Sequence, residues 1–190
     1  MSTTVEQVVL LADDGSAAGV ADKSTVHTEA TPLHLAFSCH VFDQAGRILV
    51  TRRALTKVAW PGVWTNSFCG HPAPEEDIDR AVHRRASYEL GVRLDSVELV
   101  LPDFRYRAVD ASGIVENEVC PVYRATVSDV VDPRPDEVAE WMWVDPERLA
   151  TAVEATPWAF SPWLTLQLPL LAEAGSWARG VDVTPTATRS

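Results

Sequence analysis

Apolar residues recur at helical spacing in one stretch of this chain. Ile78, Ala81, Val82 and Ala86 form a stripe that predicts a helix over residues 77–90, with acids at its start and Gly91 as its stop. Elsewhere the pattern is that of strands and turns. Residues 5–11 read as a strand, closed by a turn at Asp13-Asp14-Gly15. Residues 33–42 and 47–51 read as a hairpin around Asp43-Gln44-Ala45-Gly46. Residues 60–64 form a Pro-Gly loop, followed by a short strand at 67–69. A second hairpin, 104–109 with 114–123, flanks Asp110-Ala111-Ser112-Gly113, and the Trp-rich segment 138–144 is a further strand. Residues 146–153 and 161–171 read as helices, the second with the early Pro that helix starts tolerate. Strands and helices mix without regular alternation. The expectation is a single α+β domain, a mixed-sheet α/β sandwich, in place of a doubly wound sheet.

The composition fits that expectation and narrows the function. At 190 residues, with 46% hydrophobic and 23% charged, the chain has the make-up of a soluble domain with a good-sized core. A net charge of −11 argues against a phosphate-backbone binder, so no nucleic acid is expected. Basic residues nevertheless gather at Arg52, Arg53 and Lys57 and again at Arg84 and Arg85, which suits a small anionic ligand. Three cysteines (Cys39, Cys69, Cys120) are too few and too scattered for a disulfide framework. Nothing at the start resembles a signal peptide, and the longest uncharged stretch, 155–172, is interrupted by Pro157, Pro162 and Pro169. A membrane span needs about 20 mostly apolar residues, so no membrane segment is expected and a reducing cytoplasm is the default. The organisation read from the chain is an N-terminal segment 1–31 packed on the core, a catalytic domain over 32–171, and a loose tail over 172–190.

Candidate chemistry clusters in the middle of the chain. His27, His34 and His71 lie near carboxylates, and Glu116 and Glu118 sit two apart on a predicted strand. Alternation puts both glutamates on one face, roughly 7 Å apart. Three imidazoles and two carboxylates would hold a divalent ion such as Mn²⁺, Zn²⁺ or Mg²⁺. Each His alone reads equally as a surface or satisfied core residue, which is the reading kept for His40 and His83. Cys69 adjoins Gly70 and His71 and is the candidate reactive thiol, the alternative being a small buried hydrophobe. Among seven tryptophans, Trp60, Trp64, Trp158 and Trp163 lie in uncharged loops and together would line an apolar pocket whose faces stabilise a cation. Arg84-Arg85 reads either as a solvated helix face or as part of a site, one turn before Glu89.

Residues 70–92 nearly complete a metal-diphosphate motif. Gly70, Glu76, Arg84, Ala86, Glu89, Gly91 and Val92 fall on the spacing of the Nudix signature, but Arg85 and Tyr88 stand where two of its metal-binding glutamates belong. With further blocks the chain resembles the type I isopentenyl-diphosphate isomerases, which have a Nudix-like fold. These blocks are His27-Thr28, Leu33-His34-Leu35-Ala36-Phe37-Ser38, Thr51-Arg52-Arg53-Ala54, and the run from Trp60 to Ser67. Cys69-Gly70-His71-Pro72, Tyr88-Glu89-Leu90-Gly91, Phe104-Arg105-Tyr106, Glu116-Asn117-Glu118 and the run from Thr156 to Trp163 complete the set. The resemblance spans about 5–171.

It implies interconversion of isopentenyl diphosphate and dimethylallyl diphosphate by allylic proton transfer through a tertiary carbocation, in isoprenoid biosynthesis. By resemblance Cys69 and Glu118 are the acid/base pair, Tyr106 bonds the carboxylate, and Trp163 offers its π-face to the cation. His27, His34, His71, Glu116 and Glu118 would form one metal site, with Mn²⁺ favoured over Zn²⁺ or Mg²⁺. A separate Mg²⁺ would bridge Glu89 and the diphosphate, held by Lys23, Arg53, Lys57 and Arg85. The alternatives are a Nudix hydrolase of a nucleoside diphosphate derivative, which lacks its glutamates here, a non-catalytic diphosphate sensor, and a thiol enzyme built on Cys69 and His71. A monomer is expected. Sequence leaves open the ion, the order of proton transfer and the role of the tail.

Overall fold

The computed structural model of the protein describes residues 6–177. Twelve strands among them form two sheets. The first, five-stranded sheet runs in the order β2 (Ala17–Asp22), β1 (Gln7–Leu11), β3 (His34–Leu35), β10 (Val115–Val119), β9 (Arg105–Val109). The second has the main order β12 (Val138–Val144), β5 (Ile48–Arg53), β4 (Phe37–Phe42), β11 (Val122–Thr126), β8 (Ser96–Leu101). Two short strands branch from it: β6 (Trp64–Thr65) pairs with β5, and β7 (Phe68–Gly70) pairs with β4. The helices are α1 (Lys23–Val26), α2 (Ile78–Leu90), α3 (Pro146–Ala155) and α4 (Pro162–Glu173), with a 3₁₀ turn at Pro157–Ala159. The α+β sandwich with mixed sheets is therefore observed.

Two predicted strands are each broken in the fold. The segment 33–42 divides at Ala36 into β3 and β4, and 114–123 divides at Cys120-Pro121 into β10 and β11. The halves change sheet together. β3 runs parallel to β10, with Glu118 opposite His34, and β4 runs parallel to β11. Across the crossing the ladder continues, because Val119 O accepts Ala36 N–H and Pro121 O accepts Ser38 N–H. Pro has no N–H to donate, so a bend there costs no ladder bond. Strands β2 and β8, absent from the sequence reading, are edge strands with largely exposed side chains. An edge strand without a buried face leaves no alternation to read.

Strand β4 is buried along its whole length. Phe37, Cys39 and Val41 face the core under α2, together with Leu49, Phe68 and Tyr123. Phe42 faces the other core, shared with Ile48, Val50 and the apolar face of α4. Between them on that side, Ser38 and His40 meet Gln167 of α4: Gln167 Oε1 lies 3.1 Å from Ser38 Oγ and 2.9 Å from His40 Nε2.

Helix α2 begins at Asp77, whose Oδ1 accepts the Asp79 and Arg80 amides, and ends at Gly91. Gly91 has φ 68°, and a Cβ there would meet Asp132 O at 2.8 Å, so only glycine fits. The chain following that contact caps the helix, since Leu90 O accepts Asp132 N–H and Glu89 O accepts Arg134 N–H. Ala81, Val82, Ala86 and Leu90 bury the apolar stripe, each large side chain contributing about 1.5–3 kcal/mol.

The described part of the segment expected as a tail is packed. Helix α4 runs to Glu173, and Trp177 is buried against His40 and Phe42 with its Nε1–H donated to Pro146 O at 3.1 Å. Residues 1–5 and 178–190, including the first residue of the predicted strand 5–11, lie outside the described residues. No helix among the described residues is long and apolar enough to cross a membrane.

Burial of His40 has a measurable consequence. It is 1% exposed, and burial lowers its pKa to about 4. Below pH 6.5 the unfolded chain gains a proton that folded His40 refuses, so the stability present above 6.5 is lost as pH falls toward 4. The loss attributable to His40 is about 3 kcal/mol between pH 7 and 4. Urea unfolding across that range is expected to show a flatter pH dependence for His40→Gln than for the parent, and equal slopes would refute the assignment.

Candidate active site

A cleft of about 180 Å³ opens between the two sheets. The first sheet contributes Tyr106, Glu116 and Glu118; the second contributes Thr51, Arg53, Cys69 and Gly70; α1, α2 and α4 add Lys23, Arg85, Glu89 and Trp163. Lys57, Glu137, His27 and His71 come from the connecting segments or the ends of elements. Every residue expected in the site from sequence lines this cleft except His34, which sits behind it in β3.

Three imidazoles and one carboxylate converge at one end. The rings of His27, His34 and His71 have centroid separations of 5.1–5.8 Å. Ligand atoms of these three and Glu118 all lie within 4.8 Å of one another. Glu118 Oε1 is 3.2 Å from His71 Nε2 and 3.4 Å from His34 Nε2. His34 Nδ1 lies 3.0 Å from Pro32 O, an oxygen that only accepts, so the ring proton belongs on Nδ1. That leaves Nε2 as a buried lone pair facing a carboxylate, without a hydrogen-bond partner among the described residues. Two acceptors in that relation require a cation or a proton between them. Borderline nitrogen donors with a hard oxygen fit a divalent metal.

Glu116 is not among those four. One strand pitch along β10, it accepts the Tyr106 hydroxyl, which also lies 2.9 Å from Glu118 Oε2. Burial, then the charge of Glu118, pushes Glu116 up to about 7. Burial would raise Glu118 as well, but the His34 and His71 imidazoles beside it outweigh that and hold the carboxyl well below the usual range. Burial, then the charges of His71 and His34, lowers His27 to about 4.

Cys69 lies on β7, contributed by the sheet that does not carry Glu118. Its Sγ lies 3.4 Å from Asn66 Oδ1 and 3.6 Å from Ser38 Oγ. Burial, then the Glu118 charge, pushes the thiol up to about 12. Cys39 and Cys120 are free and buried, as small hydrophobes are. Trp163 is 1% exposed, with Trp60 edge-on at 5.7 Å, Tyr106 tilted at 5.8 Å, and the Arg53 guanidinium 5.3 Å from its ring centre. The four-tryptophan pocket is not formed. Trp64 lines a separate apolar groove with Phe160 and Leu149, and Trp158 is 83% exposed.

The other end of the cleft is cationic and internally paired. Arg85, 3% exposed, donates from Nε to Glu89 Oε1 at 2.8 Å and from an η-nitrogen to Glu137 Oε1 at 3.2 Å. Lys57 pairs with Glu137, and Lys23 bonds Glu6 at 2.6 Å. Arg53 donates to the carbonyls of Ala59 and Trp60. The basic pair splits: Arg84 leaves the site and binds Glu76 at 2.6–2.8 Å, tying the loop after Gly70 to the helix. Arg52 also turns away, to Gly62 O and Glu140. Gly70 is required by close approach, because a Cβ there would lie 2.8 Å from both Arg85 Cγ and Phe37 Cζ. Tyr88, in the other altered position, is 41% exposed beside Arg134.

Sequence reading overlooked Glu137 and assigned no role to Asn66 or Ser38. Glu137 immediately precedes a strand and has no local pattern to mark it. Asn66 carried one signal, a polar Thr-Asn-Ser run between apolar residues, all three of which are buried.

Residues 32–164 match the NUDIX domain model. The chain is 71% identical over 171 residues to the isopentenyl-diphosphate Delta-isomerase of Clavibacter michiganensis subsp. michiganensis, covering 90% of this chain and 88% of that one. It is 65% identical to the enzyme of that name from Leifsonia xyli subsp. xyli, covering 90% and 94%, and 55% identical to that of Corynebacterium glutamicum, covering 88% and 92%. Among solved structures, the fold matches DR0079 from Deinococcus radiodurans with a TM-score of 0.68 at 18% identity, covering 87% of this chain and 98% of that one. A MutT protein from Methanosarcina mazei Go1 matches with 0.59 at 15%, covering 76% and 96%.

The converging imidazoles predict that purified protein carries close to one tightly held divalent ion. His34→Ala is expected to lose most of it by elemental analysis. Chelation should lower the unfolding temperature, since an ion present at a hundred times its Kd stabilises by about 2.7 kcal/mol. Unchanged metal content in the variant would refute the site.

Proposed function

The chain belongs to the isopentenyl-diphosphate Delta-isomerases, a family built on the Nudix domain, and from that membership we propose how its cleft works. The reaction interconverts isopentenyl diphosphate and dimethylallyl diphosphate, so the substrate is a small diphosphate with a five-carbon tail. One observation carries the mechanistic reading: Cys69 and Glu118, borne by different sheets, face one cleft whose remaining lining separates into apolar and cationic parts.

Isomerisation requires a proton delivered to the terminal methylene and another removed from the methylene next to the cationic carbon. Two proton-transfer groups from opposite walls suit that task. Cys69 and Glu118 are the pair, and the Tyr106 hydroxyl, which bridges Glu116 and Glu118, keeps the carboxylate in place. The tertiary carbocation between the two transfers lies against the Trp163 face, in a region walled by Phe68, Val138 and Trp60 that excludes water.

Lys23, Arg53, Lys57 and Arg85 hold the diphosphate oxygens through charge-assisted bonds. Arg85 standing at a glutamate position of the Nudix signature turns a metal-holding helix face into an anion-holding one. Hydrolysis of a diphosphate by this fold relies on the carboxylates that Arg85 and Tyr88 replace. Glu89 would hold a Mg²⁺ that arrives with the diphosphate. His27, His34, His71 and Glu118, with Glu116 as a fifth ligand, would hold a second divalent ion, for which Mn²⁺ suits the mixed nitrogen and oxygen donors, with Zn²⁺ or Mg²⁺ the alternatives. That ion's charge would favour the ionised form of its carboxylate. The product is a building block for isoprene biosynthesis.

With Mg²⁺ and isopentenyl diphosphate in heavy water, NMR is expected to show dimethylallyl diphosphate carrying deuterium in a methyl group. Cys69→Ala and Glu118→Gln are each expected to abolish turnover with an unchanged circular dichroism spectrum. Release of free phosphate, or substantial isomerisation by either variant, would overturn the assignment.

A further inference from the structure

Strands β4 and β5 pair at Phe42 and Ile48 and then separate. The short strands β6 and β7 fill the gap, one pairing with β5 and the other with β4, and the turn between them is formed by Asn66 and Ser67, both fully buried. The two side chains do different work. Ser67 Oγ accepts Val41 N–H and donates to Leu49 O, each at 2.7 Å, and so bridges the parted strands. Asn66 instead extends to the reacting side chains.

The direction of the Asn66 amide is fixed by its partners. Its Nδ2 contacts Phe68 O at 2.7 Å and Cys39 O at 3.0 Å, oxygens that only accept. Its Oδ1 faces Trp163 Nε1–H at 2.9 Å, a group that only donates. A flipped amide would lose all three bonds. With the orientation settled, Oδ1 also accepts the Thr65 hydroxyl at 2.8 Å and lies 3.4 Å from Cys69 Sγ, and Nδ2 reaches Ser38 Oγ, the thiol's other neighbour.

We infer that Asn66 is a positioning residue for the isomerisation, fixing the Trp163 ring and the Cys69 thiol relative to each other through one carboxamide. This deepens the proposed use of the cleft and rests on it. The thiol must reach a substrate carbon while the indole face lies against the adjacent cationic centre, so an error in either alone spoils the geometry. A hydrogen bond accepted from the indole N–H also polarises the ring toward greater negative charge on its face, which favours a cation there.

The test compares Asn66→Ala with Ser67→Ala, which removes an equally buried bond network from the same turn without touching Cys69 or Trp163. Both are expected to lower the unfolding temperature. Only Asn66→Ala should lower kcat, by about 100-fold at little-changed KM, as misplacement of a reacting group by an ångström does. Two readouts do not depend on turnover. The Trp163 indole N–H resonance, identified by its loss in Trp163→Phe, should shift upfield and exchange faster with water. Cys69 alkylation by iodoacetamide, located by mass spectrometry, should accelerate. If Asn66→Ala fails to fold, Ser38→Ala is the deciding variant, with faster Cys69 alkylation and reduced kcat expected.

An Asn66→Ala protein with an unmoved indole signal and kcat within twofold of the parent overturns the inference. So does Ser67→Ala reproducing every effect, since Asn66 would then be structural only. If the parent shows no isomerisation while the indole and alkylation changes persist, the positioning stands and the proposed reaction fails.

Discussion

Four cations and four carboxylates line one cleft of about 180 Å³, and much of the architecture follows from keeping such charges out of water. An ionised side chain in a low-dielectric interior costs several kcal/mol unless partners meet it with good geometry. Arg85 meets that condition with carboxylates from two parts of the chain, Glu89 one turn on along its own helix and Glu137 at the entry to β12. Lys57 shares Glu137, and Lys23 engages Glu6. The cationic end is thus neutralised from within before any diphosphate arrives. The opposite end applies the rule to a different donor set: His34 and His71 face Glu118, and a divalent ion would settle the conflict of lone pairs between His34 and the carboxylate.

The cleft exists because both sheets are interrupted at matching places. Paired segments pass from one sheet to the other at Ala36 and at Cys120-Pro121, so β3 and β10 diverge from β4 and β11. A second parting, between β4 and β5, admits the short strands β6 and β7, the latter carrying Cys69. Every such break exposes backbone groups that must find other partners. Val119 O and Pro121 O serve the first, and the Ser67 hydroxyl serves the second. Cys69 and its neighbours in the cleft therefore sit where regular pairing stops and irregular backbone, held by buried polar side chains, sets their direction.

The family relationship and the altered signature are consistent with one another. Relatives 55–71% identical carry the isomerase name, whereas the two solved structures compared above are 15% and 18% identical and share the fold alone. Arg85 occupies the helix position just before Ala86, where a carboxylate would hold metal, and the Cγ of its aliphatic stem passes so close to Gly70 that a Cβ there would clash. The same helix, cap and loop that carry an acid at this position of the Nudix signature here present a buried guanidinium to the cleft.

How much of this was legible in the chain depends on the range over which each constraint acts. Helix α2 was readable nearly to the residue, because its apolar stripe, its Asp77 cap and its Gly91 stop are local. The residues that line the cleft were nameable because ordered motif blocks mark those side chains along the chain, although not how they meet. The long strands 33–42 and 114–123 were continuous in the sequence, since an apolar run is the same whether a strand stays in one sheet or crosses to another. The edge strands β2 and β8 left no pattern because no face of theirs is fully covered. Only the tertiary structure separated Arg84, on the surface with Glu76, from Arg85 in the cleft, because adjacent helix positions point about 100° apart and the packing of α2 decides which faces inward. It alone paired Glu137 with Lys57 and Arg85, and joined Asn66 to Cys69 and to Trp163, 97 positions away. Motifs along a chain specify chemical groups; the hydrogen bonds that aim those groups join residues far apart in sequence, and closing the sheets brings them together.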